Sequence, residues 1–301
     1  GKDKVAVCGY HGWHDWYLAA NIGKNNKNLD THLIKGLKVK GVPNNLKNTI
    51  FPFEYGNYKQ LENILKKNSL GVIKMEVCRN SQPDIKFLKY VRNICSKKNI
   101  VLIFDECTTG FRETYGGLYK KIKIKPDVLI LGKALGNGYA ITSILGKKEI
   151  MEYAQESFIS STFWTERSGS VAALKTLEIM KEIKSWQIIT NIGLKIQNFW
   201  KEIFKYYSID ADIRGIPSLT NFVFKNNHEK YKVLLTQEML KYNILASTTI
   251  YTSIDHNEKI LNMYFEKFEK IIKIIKKCEL GADIDRLLET SVPEKNFQRL
   301  N

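Results

Sequence analysis

Short apolar runs recur along the first two-thirds of the chain, separated by stretches whose apolar residues fall about three apart. Lys4-Val5-Ala6-Val7, Leu70 to Met75, Ile100 to Phe104, Val128 to Leu131 and Ile141 to Leu145 all read as strands. Compact apolar runs of this length are what strands covered on both faces require. Between them, Asp84 to Lys97 places Ile85, Leu88, Val91 and Ile94 at three-residue intervals, the spacing of one helix face. Strands alternating with helices predict an α/β fold with a mainly parallel sheet.

The pattern changes in the last third. Ser168 to Ile183 and Trp186 to Tyr207 read as long helices, the second with a broad apolar face formed by Ile188, Ile189, Ile192, Leu194 and Ile196. Strands over Asp210 to Arg214, Leu219 to Lys225 and Ile250 to Ser253 follow, with helices near Glu229 to Lys241 and Asn257 to Lys277. This mixture predicts a small α+β domain over 186–301, after a large α/β domain over 1–185. Between Trp13 and Asn48 the chain is rich in Gly, Asn and Lys and weakly periodic. A loop of that length reads as a lid or as a disordered surface segment. Trp13 and Trp16 read as packing residues within it.

Two strands end in charge. The run Ile100 to Phe104 leads into Asp105-Glu106, and Val128 to Leu131 leads into Gly132-Lys133-Ala134-Leu135-Gly136-Asn137-Gly138-Tyr139. Open α/β sheets present ligands at the carboxyl ends of their strands, so both residues fall on one rim. Taken singly, each residue is commonplace. A lysine after a strand is usually solvated, and an aspartate there is usually a turn or cap residue. Together, with glycines that allow close backbone approach, they suit a ring cofactor. A lysine can form an imine with an aldehyde, and a carboxylate can keep a ring nitrogen protonated. That is the chemistry of pyridoxal phosphate.

At these residues the chain resembles the class III aminotransferases, which are fold-type I pyridoxal-phosphate enzymes. The likeness lies in Phe104-Asp105-Glu106-Cys107-Thr108-Thr109-Gly110-Phe111-Arg112, then Pro126-Asp127, then Gly132 to Tyr139. Gly9-Tyr10-His11-Gly12, Val72-Ile73-Lys74-Met75-Glu76 and Ser160-Ser161-Thr162-Phe163-Trp164 before Ala172-Ala173 agree in order and approximate spacing. Within the class, Tyr10-His11-Gly12 and the long loop after it are most similar to glutamate-1-semialdehyde aminomutase. The resemblance implies a fold-type I large domain with a small C-terminal domain, bound pyridoxal 5'-phosphate and a homodimer with a shared active site. By the same resemblance Lys133 is the Schiff-base lysine and Asp105 the partner of the pyridine nitrogen. Tyr10 stacks on the ring, Cys107 stands where a valine usually lies behind it, and Thr162 reaches the phosphate from the partner subunit. His11 is a candidate for a hydrogen bond to cofactor or substrate, or for a turn beside Gly12. Glu76 is either a buried acid near the cofactor or a turn residue.

There are departures from the family pattern. Val77 follows Glu76 where proline is usual, and the stretch from Thr162 to Ala172 is about one residue longer, so Thr165 competes with Thr162. The chain opens at Gly1 already close to a strand, and reads as a fragment without the family's N-terminal phosphate-gripping turn. The resemblance implies a small amino substrate with a keto or aldehyde partner, handled by an aminomutase or by a transaminase with an external donor. Amino-sugar and ω-amino substrates stay open, and a catalytically silent scaffold of the same fold is the rival from another class.

Charge and cysteines alter this picture little. The 301 residues carry a net charge of +16, but the lysines are dispersed in pairs such as Lys66-Lys67 and Lys276-Lys277 rather than gathered in a stripe. That dispersal argues for solvated faces and against nucleic-acid binding. Five widely spaced cysteines without a CxxC pair argue against a zinc or disulfide framework and suit the cytoplasm. No apolar run approaches membrane length. Of the remaining candidates, His14 and Asp15 read as loop residues, Arg112 and Glu106 as a structural ion pair, and His256 as the opening of the last long helix.

Overall fold

The computed structural model describes residues 2–12, 14–23, 28–30, 37–78, 80–159 and 162–292, with the Phe163 side chain left aside. The chain separates into two compact units that divide between Glu182 and Ile183, the second also taking in Asn80–Gln82.

The first unit is built on a six-stranded sheet. Its strands are β1 (Val5–Cys8), β2 (Ile50–Pro52), β3 (Val72–Glu76), β4 (Val101–Asp105), β5 (Val128–Leu131) and β6 (Ser143–Gly146). They lie in the order β2-β1-β3-β4-β5-β6. All neighbours run parallel except β5 and β6. The strand expected over Ile141 to Leu145 is thus the antiparallel edge. Helix Ile85–Lys98 forms where expected, but its buried face is Phe87, Leu88, Val91 and Cys95. Ile85 is exposed and Ile94 half-buried, because 3.6 residues per turn carry a strict three-residue row off the core. Asp84 accepts from the Phe87 amide as N-cap. At the start of β5, Asp127 accepts from the Leu102 amide at 2.8 Å and pairs with Arg92 and Lys147, which pins β4 and β5 together.

Two features of this unit depart from the sequence reading. Strand β2 has only three residues, too few for a periodic signal, whereas helix Tyr58–Lys67 carries Tyr58, Leu61, Ile64 and Leu65 at helical spacing, a pattern that went unread in the sequence. The described part of the segment expected as a long loop holds helix Asp15–Leu18 and a turn at Ala19–Asn21. It packs Tyr17, Ala20 and Leu29 onto Val7 and Ile50. The buried Asn21 side chain bonds the Leu29 amide and the Leu37 carbonyl, replacing secondary structure with side-chain hydrogen bonds.

The second unit carries the antiparallel sheet β7 (Ala211–Arg214), β8 (Leu219–Phe224) and β9 (Thr249–Tyr251). Helices Ser185–Tyr206, His228–Leu240 and Glu258–Glu279 complete its α+β core. At the centre Trp200, Phe222, Phe224 and Phe268 interlock, and the Trp200 indole donates to the Tyr264 hydroxyl at 2.9 Å. His256 does not open the last helix. Asn257 is its N-cap, accepting from the Ile260 amide, because its short amide side chain reaches back to the first turn.

Candidate active site

The carboxyl ends of β1, β3, β4 and β5 bring together six of the seven residues singled out in the sequence. In the parallel register Glu76 lies beside Asp105, so Lys74, Glu76 and Asp105 share one face of the sheet. Asp105, with its side chain 12 % exposed, receives His11 Nδ1 at 3.1 Å and Lys74 Nζ at 3.2 Å, both on Oδ2. The Cys107 amide donates to Oδ1 at 3.3 Å. Burial alone would raise the Asp105 carboxyl. The bond and charge of His11, the charge of Lys74 and the Cys107 amide outweigh it and bring the pKa down to about 2. Asp105 is a fixed anion.

His11 is held from both sides. Its Nε2 lies 3.0 Å from the Cys8 carbonyl, so both ring nitrogens face oxygen atoms. Tyr17, fully buried, presents an edge to His11 and to Tyr10 and donates from its hydroxyl to the Gly9 carbonyl at 2.7 Å. Glu76, buried, accepts from the Tyr10 amide at 3.1 Å. The turn needs glycine at position 9. Its φ is +104°, and a Cβ there would sit 2.5 Å from Glu76 Oε2. Glu76 thus positions Tyr10 through the backbone.

Lys133 follows β5 in a left-handed conformation, φ +47°, that a non-glycine residue seldom adopts. It is exposed, and its Nζ donates to Thr108 Oγ1 at 2.8 Å. Just before it, a Cβ on Gly132 would meet Cys107 Sγ at 2.8 Å, so the β5 end can pass this thiol only as glycine. The Cys107 thiol is raised, first by burial and then by Asp105, while Lys133 and Lys74 pull it down. It therefore sits within the fields of all three charges. Thr162 lies on a separate exposed turn, Thr162–Thr165, that also holds Thr165; Ser160 and Ser161 lie outside the described residues.

Glu106 turns out to be a backbone clamp. Fully buried, it accepts from the Leu118 and Tyr119 amides and from the Thr109 hydroxyl, which closes the loop after β4. Three contributors went unread in the sequence: Thr108, Tyr17 and above all Lys74. A charged residue inside the apolar run Val72 to Met75, two positions before Glu76, was the available signal. Trp16 lies beside this lysine, with Lys74 Nζ 5.6 Å from the centre of its ring.

The Aminotransferase class-III family matches residues 80–254, more than half the chain and inclusive of Asp105 and Lys133. The chain belongs to the class-III aminotransferases. Among members of this family it is 31% identical to 3-aminobutyryl-CoA aminotransferase of Cloacimonas acidaminovorans, over 81% of this chain and 58% of that protein. It is 28% identical to glutamate-1-semialdehyde 2,1-aminomutase of Sulfolobus acidocaldarius, over 91% of this chain and 70% of that protein. The chain therefore spans about three-fifths to seven-tenths of the length of these two relatives. In fold it is similar to an omega-transaminase from Sphaerobacter thermophilus, with a TM-score of 0.78 at 16% identity over 90% of this chain and 68% of that one. Both units thus belong to a fold-type I architecture. Among the described residues no helix is long and apolar enough to cross a membrane.

Proposed function

We propose that this protein binds pyridoxal 5'-phosphate and transfers an amino group between small molecules. It acts as a glutamate-1-semialdehyde aminomutase-like enzyme or as a class-III transaminase with an external donor. One observation carries the reading: a carboxylate held ionised near pKa 2 and a lysine amine stand at the ends of adjacent parallel strands, with Cys107 within the field of both. The donor set fits the cofactor, since an anion that stays charged in a buried place suits a cationic ring nitrogen. When bound, pyridoxal phosphate supplies an aldehyde to which amines bond and a ring that withdraws electrons from the carbon beside that nitrogen.

Each residue then has a task. Asp105 would hold the proton on the ring nitrogen, and His11, beside the Cys8 carbonyl, keeps Asp105 in place. Tyr10 and Cys107 would flank the ring, with Glu76 fixing the Tyr10 backbone. Lys133 Nζ, steadied by Thr108, would hold the cofactor by its aldehyde carbon and, once an incoming amine displaced it, would as a free amine move the proton at the amino-bearing carbon of the substrate. Thr162 serves the phosphate of a partner copy. A dimer is supported by apolar side chains left open on the first unit, among them Phe158, Trp164, Val171 and Leu174, all at least 61 % exposed. The cysteines Cys8, Cys78, Cys95, Cys107 and Cys278 are free, which suits a cytoplasmic protein.

Borohydride reduction after incubation with pyridoxal phosphate, followed by peptide mapping, should place the adduct on Lys133. An adduct on any other lysine overturns the assignment. Lys133→Ala should abolish turnover yet change unfolding free energy by less than about 0.5 kcal/mol, because the side chain is exposed. Product analysis with and without an amino donor separates mutase from transaminase.

A further inference from the structure

The Asp105 carboxylate already has an internal cation. Oδ2 receives both His11 Nδ1 and Lys74 Nζ, which fills the two acceptor positions of that oxygen. Oδ1 takes the Cys107 amide. His11 cannot leave: its side chain is fully buried and its other nitrogen faces the Cys8 carbonyl. Lys74 can, since its head is a compact charge on a flexible stem and the Trp16 ring lies 5.6 Å from its Nζ. A ring N–H arriving at this carboxylate either takes Oδ2 from Lys74 or uses Oδ1 beside it. In both cases it meets a positive neighbour.

We propose that Lys74 competes with the cofactor's ring nitrogen for Asp105, and so weakens cofactor binding specifically through that nitrogen. The inference rests on pyridoxal phosphate being the cofactor. Lys74 lies on β3, two residues before Glu76, so it reaches Asp105 by strand alternation and not by a loop that could swing away. Two like charges sharing one buried anion repel, and at these separations the repulsion changes an equilibrium by an order of magnitude or more. Lys74 is therefore a tuning residue: it keeps Asp105 paired before the cofactor arrives and opposes a fully cationic ring afterwards.

The test compares dissociation constants for two probes, pyridoxal phosphate and its 1-deaza analogue, which has carbon in place of the ring nitrogen. They are measured on the full chain and on Lys74→Met, Lys74→Gln and Lys74→Arg. Removing the charge should tighten pyridoxal phosphate about tenfold in both the Met and Gln forms. The Arg form should stay near wild type. The deaza analogue should bind all four forms equally, a pattern that a merely structural role for Lys74 would not give. Two neutral substitutions of different polarity guard against one that fails to fold, which far-UV circular dichroism reports. Equal or weaker binding of pyridoxal phosphate by the neutral forms overturns the proposal, as does an equal gain with the deaza analogue. If no form binds either probe, the cofactor reading falls and this inference with it.

Discussion

At the scale of single residues, Asp105 shows how a buried charge is kept. Its usual carboxylate range is left behind because His11, Lys74 and the Cys107 amide together outweigh the cost of burial. The pKa of about 2 lies below the ordinary 3.8, so the group stabilises the fold above about pH 4 and that contribution fades as pH falls through about 2. The shift corresponds to roughly 2 kcal/mol. Asp105→Asn should therefore lower the unfolding free energy of the cofactor-free protein by about 2 kcal/mol at pH 7, with the deficit shrinking between pH 4 and pH 2. Urea titrations of both proteins across that range check it; a deficit that does not depend on pH would refute the charge argument. The same variant should retain cofactor but lose most activity, since a neutral amide keeps the shape without the charge. Asp105 and Lys133 were legible because each ends an apolar run; Lys74 was not, because nothing in one strand tells which neighbouring strand its face will meet.

At the scale of elements, Gly193 fixes helix Ser185–Tyr206 in the second unit. A Cβ there would lie 1.9 Å from the Pro217 carbonyl oxygen, and the obstacle is backbone, so no rotamer change relieves it. Gly193→Ala should cost about 3 kcal/mol despite the better helix propensity of alanine. A melting temperature equal to wild type would contradict the close approach. The helix itself was readable from Ile188, Ile189, Ile192 and Ile196, whereas the reason for its glycine was not. That reason lies in a turn more than twenty residues further along the chain. A related limit explains strand β2, whose three residues are too few to show a period of their own.

At the scale of the whole molecule, the proposed dimer makes the site a shared one. Phe158, Trp164 and Leu174 are exposed in the single chain, and edge strand β6 leaves Ile144 and Leu145 exposed as well. Mixing Lys133→Ala with Thr162→Ala subunits should restore part of the activity. Hybrid dimers hold one site that carries neither change, with about a quarter of wild-type activity as the statistical ceiling for random pairing. Two inactive parents that stay inactive when mixed, or sedimentation of an active monomer, would exclude a shared site.

The sequence alone determined what local physics can determine. Apolar runs gave the strands, three-residue spacing gave the main helices, and charged residues at two strand ends gave a pair with the chemistry of a ring cofactor. Tertiary structure decided which groups meet. Only strand order puts β3 between β1 and β4, and so places His11 and Lys74 on the same oxygen of Asp105. Only packing showed that Glu106 clamps backbone amides and that Glu76 holds the turn at Tyr10. The physical reason is range. Propensity and periodicity act over a few residues, while the electrostatics of this site join residues 11, 74 and 105, which meet only once the sheet has formed.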